Sequence, residues 1–194
     1  MAMNRLGNGL LVAKYPDALS VKETELSMLR RLGAPDANIL VAQSNLANAY
    51  GELGRFEDAL RMHRDVYSAR LELQGEHHSR TLTAANNYAT SLLELKRFKE
   101  AKKLLRKRIP VARRVLGETD ILTLRMRWPY ARALYLHPGA TLDDLREAVT
   151  TLEDISRIAR RVLGGARPLT KGIEFDLRDA RAALRARETP PRSA

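Results

Sequence analysis

The sequence predicts an all-α fold: a right-handed α-solenoid of antiparallel helix pairs, with about four repeats and a C-terminal capping helix. A corner motif occurs twice, forty-two residues apart, as GRFEDAL at 54–60 and KRFKEAK at 96–102. A fixed period of this length is typical of solenoid repeats. Four glycines stand at equivalent helix ends: Gly33, Gly75, Gly117 and Gly164. Aromatic residues make up only 5% of the chain and apolar residues 44%, which suits the packing of helices through small side chains.

The first unit, at about 4–33, begins partway through a repeat. Its YPDAL at 15–19 matches FEDAL at 56–60, so only about ten residues precede it for a first helix. Gly7 and Gly9 each cost such a helix about 1 kcal/mol relative to alanine. The sequence therefore predicts a first helix that is short, frayed or the remnant of a longer protein.

The second unit (36–75) and the third (76–117) are predicted to be complete helix pairs. In the second unit the apolar residues of the first helix fall on one face, and the second helix continues the pattern as far as Leu73. The third unit repeats this pattern, with Pro110 inside its second helix. Since proline removes a backbone hydrogen bond, we expect a kink at that residue.

The fourth unit, at 118–164, has forty-seven residues, and its extra residues fit a turn-rich loop before Thr141. Thr141 is a predicted N-cap, because a threonine hydroxyl can accept a hydrogen bond from a free amide at the start of a helix. A capping helix is predicted at 168–188 and a disordered tail at 189–194. One solenoid domain would thus cover residues 1–188.

Two segments carry a resemblance to a known family. Asn45-Leu46-Ala47 with Gly54-Arg55-Phe56 and Ala59 resembles the tetratricopeptide repeat, in the forty-two-residue variant of kinesin light chains. Asn87-Tyr88-Ala89 with Arg97-Phe98 and Ala101 resembles it again. The resemblance covers about residues 10 to 186 and implies a scaffold that binds segments of other proteins. It implies no motor role, because the chain lacks a heptad coiled coil.

The first helices of the middle units have a polar face that we expect to line a concave groove. An asparagine carboxamide can donate to a peptide carbonyl and accept from a peptide amide, whatever the peptide sequence. In proteins that resemble this one, asparagines at the places of Asn45, Asn48 and Asn87 contact the ligand backbone. The alternative is that Asn45 and Asn87 only bridge neighbouring helices. The predicted groove residues of these units are Ser44, Asn45, Asn48, Asn86, Asn87 and Thr90.

The fourth unit departs from this pattern, because Pro129 stands where the other two units have asparagine. Its polar strip contains Arg125, Trp128 and Arg132. Guanidinium groups bind carboxylates in a two-point fork and tryptophan offers apolar contact, so a mild preference for acidic peptide segments is predicted. The alternative is that Trp128 packs between repeats and the arginines are solvated.

Positive charge is concentrated on the second helix of the third unit, in a chain of formal charge +11. This helix, at 99–114, is expected on the convex side, away from the groove. Its basic side chains indicate either a solvated face or a surface for polyanions such as nucleic acid or an acidic membrane. A nucleic-acid partner is not favoured, because no aromatic residues are interleaved for base stacking. The candidate patch consists of Lys99, Lys102, Lys103, Arg106 and Lys107.

The sequence gives no indication of catalysis, a metal or a cofactor. Cysteine is absent, and the four histidines show no metal-site spacing. No apolar run is long enough for a signal peptide or a membrane span, which predicts a soluble, cytoplasmic protein. The predicted role is a non-catalytic interaction scaffold whose partner is another protein. A structural part of a larger repeat protein is the third hypothesis, after peptide binding and polyanion binding.

Overall fold

The computed structural model describes residues 16–189, and within them every regular element is a helix. The helices divide between two compact units, Met1–Leu95 and Lys96–Ala194. The predicted short first helix before Tyr15 and the predicted tail from 190 onward lie outside the described residues. The predicted all-α solenoid of consecutive helix pairs is confirmed. One continuous solenoid over residues 1–188 stays a prediction.

Four helices of the N-terminal unit pack in sequence along its described part. The helices are α1 (Pro16–Arg31), α2 (Asp36–Glu52), α3 (Phe56–Gln74) and α4 (Ser79–Glu94). One core cluster consists of Leu26, Ala42, Leu46, Tyr50 and Ala59. The expected continuation of the apolar pattern to Leu73 is wrong, because this side chain is 56% exposed near the end of α3.

The C-terminal unit repeats this arrangement. Its helices are α5 (Phe98–Leu116), α6 (Ile121–Tyr135), α7 (Leu142–Leu163) and α8 (Pro168–Glu188). The largest fully buried side chains include Leu124, Met126, Leu152, Ile155 and Ile173. Truncating one such leucine to alanine costs about 2 to 5 kcal/mol in well-packed cores. The helix α5 continues through Pro110, and α6 continues through Pro129.

Glycines end the second helices, as predicted. Gly75, Gly117 and Gly164 follow α3, α5 and α7 with φ values of 76°, 95° and 86°. Glycine reaches this left-handed region at no side-chain cost. The predicted cap at Thr141 is also confirmed: its hydroxyl accepts from the Asp144 amide at 3.1 Å, and the Asp144 carboxylate accepts from the Thr141 amide at 3.2 Å.

The last helix, α8, begins in the register of a first helix. It starts forty-seven residues after α6 and packs against both α7 and α6. Three positions that are buried in α6, namely Leu124, Ala131 and Leu134, correspond forty-seven residues later to exposed Lys171, Arg178 and Arg181. One face of α8 is therefore polar where the matching face of α6 is apolar.

Candidate functional site

The polar face of the N-terminal unit is formed by its first helices, α2 and α4. Asn45 and Asn48 on α2 and Thr90 on α4 are exposed, while Ser44 and Asn87 are half-buried. Asn87 Nδ2 lies 3.4 Å from Ser44 Oγ and donates a hydrogen bond to it. This contact joins α2 to α4, so Asn87 bridges neighbouring helices, which was the alternative to peptide contact.

Asn86 does not lie on this open face. Its side chain is only 5% exposed, and its Oδ1 has no hydrogen-bond partner among the described residues. Its backbone carbonyl accepts from the Thr90 hydroxyl at 3.0 Å. Of the six groove residues predicted in this unit, five are therefore at least partly accessible to a ligand.

A buried histidine stands directly behind Asn48. His63 on α3 is 5% exposed; its Nδ1 lies 2.7 Å from Ser91 Oγ and its Nε2 lies 3.1 Å from Asn48 Oδ1. Burial lowers the pKa of the His63 imidazole to about 4, so the ring is neutral at pH 7. The sequence reasoning missed this group. The sequence did contain a signal for it: His63 stands at a repeat position that is leucine forty-two and eighty-nine residues later, at Leu105 and Leu152.

In the C-terminal unit, two of the three predicted polar side chains of α6 already have a carboxylate partner within the chain. Trp128 Nε1 donates to Asp176 Oδ2 at 2.5 Å, and Arg132 Nε lies 3.5 Å from the same oxygen. Tyr135 donates its hydroxyl to Asp176 Oδ1 at 2.6 Å, and burial together with this bond raises the pKa of Tyr135. Asp176 is itself 7% exposed. The structure thus provides the carboxylate that we expected from a ligand.

Trp128 packs closely against α8. A Cβ atom added to Gly172 would lie 2.6 Å from Trp128 Cη2, closer than real contacts allow. The glycine therefore makes room for the indole ring. Trp128 thus packs between helices, as the alternative to ligand contact proposed, although part of the ring remains accessible.

Arg125 remains available, and α8 adds a second arginine beside it. Both Arg125 and Arg167 are exposed, and neither has an ion-pair partner within residues 16–189. They line a pocket of about 660 Å³ whose wall includes part of Trp128. The apolar lining residues are Ile121, Val162, Leu163, Pro168 and Leu169. Arg167 was missed from the sequence, because nothing local indicates that the start of α8 lies beside α6.

The basic patch lies on the exposed face of α5. Lys99, Lys103, Arg106 and Lys107 are exposed and have no ion-pair partner in the described part of the chain. With 3.6 residues per turn, these four positions fall within an arc of about 100° on the helix. Lys102 is different: its Nζ lies 2.5 Å from Asp144 Oδ1, and this contact lowers the pKa of Asp144.

The residues that the structure describes contain no group of three or more histidine, aspartate or glutamate side chains that could hold a metal ion. None of the described helices is both long and apolar enough to cross a lipid bilayer.

Comparison with known proteins identifies the repeat. The tetratricopeptide repeat family model matches residues 38–114. Two crystal structures of nearly identical TPR-like repeats from Podosopora anserina, attributed to a kinesin light chain, superpose with TM-scores of 0.73 and 0.70 at 20% identity. Each alignment covers 96% of this chain. It covers 85% of the first of those structures and 86% of the second.

A further structural relative is BtubC (BKLC) from P. vanneervenii. It has a TM-score of 0.53 at 14% identity and covers the whole chain, which covers 94% of that protein. A search of curated proteins gives no match. The expected resemblance is confirmed: residues 38–114 match the tetratricopeptide repeat, and the described chain shares the fold of TPR-like repeats attributed to a kinesin light chain.

Proposed function

We propose that this chain is a non-catalytic module that binds an extended or helical segment of another protein on the polar faces of its first helices. The tetratricopeptide fold is a common scaffold for protein–protein interaction. The observation that carries the proposal is the exposure of Asn45, Asn48 and Thr90 on the first helices of the N-terminal unit. Two of these side chains are carboxamides: both can donate to a peptide carbonyl, and the Asn45 oxygen can also accept from a peptide amide. We place this binding in the cytoplasm, a reducing compartment that suits a cysteine-free chain.

The C-terminal unit supports a mild preference for acidic segments. Arg125 and Arg167 lack ion-pair partners among the described residues, and they flank an apolar pocket. A ligand carboxylate beside an apolar side chain would fit both features, because guanidinium binds carboxylate strongly and the pocket removes apolar surface from water. Arg132 contributes less to this preference, because Asp176 already faces it.

Selection from a displayed library of random peptides tests the proposal. The full chain is the bait, and each selected peptide is measured by calorimetry against the Asn45→Ala, Asn48→Ala double variant. We expect binding to weaken at least several-fold. The matched control is Ser68→Ala, an exposed polar position on α3. Peptides that bind the double variant and the wild type equally would reject the groove assignment.

The same peptides test the acidic preference. Reversing Arg125 and Arg167 to glutamate should weaken the acidic peptides more than the neutral ones. The control is Lys171→Glu with Arg178→Glu, which reverses two exposed charges elsewhere on α8. An equal loss for both pairs of substitutions would show that net charge, and not this pocket, sets the preference.

A second candidate function is polyanion binding by α5. It is favoured by the contrast between the four unpaired basic residues of α5 and the outer face of α7, where Arg146, Arg157 and Arg160 all form ion pairs. If the basic patch binds phosphates, the affinity of the chain for a labelled DNA duplex should fall steeply between about 50 and 200 mM salt, since each phosphate contact releases counterions. Lys103→Glu with Lys107→Glu should weaken that dependence, because two of the four basic contacts are reversed. A flat salt response would exclude this function.

A further inference from the structure

We infer that His63 is a positioning residue for the groove: it holds the Asn48 carboxamide so that its NH₂ group points to the ligand. The inference deepens the proposed function. Its peptide-binding test rests on that function, while its test without a ligand does not. It names the chemistry that this site takes, a hydrogen-bond acceptor such as a peptide carbonyl or a carboxylate. It is carried by the hydrogen bonds around His63 and by the repeat register.

The hydrogen bonds assign the imidazole tautomer. His63 Nε2 lies 3.1 Å from Asn48 Oδ1, an atom that can only accept, and we therefore assign the proton to Nε2. The Ser44 backbone carbonyl is a second acceptor for the ring. Nδ1 is then an acceptor, and the Ser91 hydroxyl at 2.7 Å donates to it. The chain Ser91–His63–Asn48 therefore has one direction, and each group within it has one role.

The direction of this chain decides what Asn48 offers at the surface. Its oxygen is engaged by His63, while its Nδ2 has no hydrogen-bond partner within residues 16–189. Since Asn48 is exposed, its two N–H groups are available to a ligand. A carboxamide held in this way is a donor, whereas the exposed Asn45 carboxamide, which forms no side-chain hydrogen bond within residues 16–189, could present either end.

The repeat register indicates that the histidine is not required by the fold. The corresponding positions in the next two repeats are Leu105 and Leu152, both fully buried. Ser91 corresponds forty-two residues later to Ala133, which is also buried. Burying an imidazole costs desolvation energy that leucine avoids. The polar pair of the N-terminal unit thus occupies positions that the C-terminal unit fills with apolar side chains.

The matched test variant follows from this register. His63→Leu with Ser91→Ala reproduces the apolar residues of the next repeat, so we expect the fold and its unfolding midpoint to be retained. Ser91→Ala alone is a milder second variant, which removes the donor to Nδ1 but keeps the imidazole. Both variants leave Asn48 in place.

The first measurement needs no ligand. Nitrogen chemical shifts of the imidazole should report the Nε2–H tautomer, and NMR relaxation should show a more rigid side-chain amide for Asn48 than for Asn45 in the wild type. In His63→Leu, Ser91→Ala the Asn48 amide should become as mobile as that of Asn45. Equal mobility of the two amides in the wild type, or an unchanged Asn48 amide in the variant, would overturn the inference.

The second measurement uses peptides selected on the wild-type chain. Asn48→Ala and His63→Leu, Ser91→Ala should each weaken binding several-fold, and the combined variant should be no weaker than Asn48→Ala alone. Loss with Asn48→Ala but full binding by His63→Leu, Ser91→Ala would reject the positioning role and keep the proposed function. No loss with Asn48→Ala would reject the groove contact at Asn48, while the relaxation data still decide whether His63 fixes this amide.

Discussion

Trp128 on α6 donates its indole N–H to the carboxylate of Asp176 on α8, at 2.5 Å. The same carboxylate accepts from Tyr135 and forms an ion pair with Arg132, so one buried acidic group contacts three side chains of α6. The relation connects two first helices, as the hydrogen bond from Asn87 to Ser44 does in the N-terminal unit. A hydrogen bond between side chains thus joins successive first helices in each unit.

Asp176→Ala should destabilise the chain by about 2 to 4 kcal/mol, because it leaves two partly buried donors and a partly buried guanidinium without their acceptor. Urea unfolding followed by circular dichroism measures the loss. Asp179→Ala, at an exposed position on the same helix, is the control and should change stability little. Equal losses in the two variants would contradict the role assigned to Asp176.

Gly172→Ala should lower stability by about 1 kcal/mol, although alanine normally favours a helix by a similar amount over glycine. The new methyl group would lie 2.6 Å from Trp128, whose ring is held by Asp176. The control is Gly51→Ala in α2, where the added atom would make an ordinary 3.9 Å contact and should stabilise. Thermal unfolding of both variants measures the contrast. A stabilised Gly172→Ala would show that the ring can move freely.

Gly117→Ala should destabilise by about 1 kcal/mol for a purely conformational reason. No atom lies within 4 Å of the position that a Cβ would take, but φ is +95°, which side chains rarely adopt. Gly165→Ala is the matched control, since Gly165 also faces open space and has no positive φ. Chemical unfolding of the two variants should therefore differ. Equal stabilities would mean that the backbone relaxes at no cost.

His63 should make stability depend on pH in the weakly acidic range. Its pKa is about 4 in the folded chain against an ordinary value of 6.5, so the unfolded chain binds the proton more readily. Stability is therefore full above pH 6.5 and falls as the pH drops towards 4, with a slope approaching about 1.4 kcal/mol per pH unit. Urea midpoints of the wild type and His63→Leu measure the difference. Parallel pH profiles would contradict the assignment.

Local signals made the helices predictable from the sequence. The glycine stops and the Thr141 cap depend on neighbouring residues, so the sequence contained the information they require. Leu73 was misassigned because apolar character alone does not show where the end of a helix leaves the core.

The site was less predictable, because its contacts join residues far apart in the chain. Asp176 neutralises Arg132 from forty-four residues away, and Arg167 reaches the pocket beside Arg125 only through the packing of α8. Ser91 and Asn48 meet His63 from separate helices. Periodicity assigned each residue to a face of its helix, but the partner across that face depends on how neighbouring helices pack.

The chain has a single tryptophan, and that residue is Trp128. Its indole forms part of the wall of the pocket between Arg125 and Arg167, and its N–H is fixed by Asp176. Indole emission depends on the polarity and rigidity of its surroundings. The protein therefore contains its own optical reporter, at the place where an acidic ligand would be expected to arrive, and occupancy of that pocket can be followed without attaching a dye.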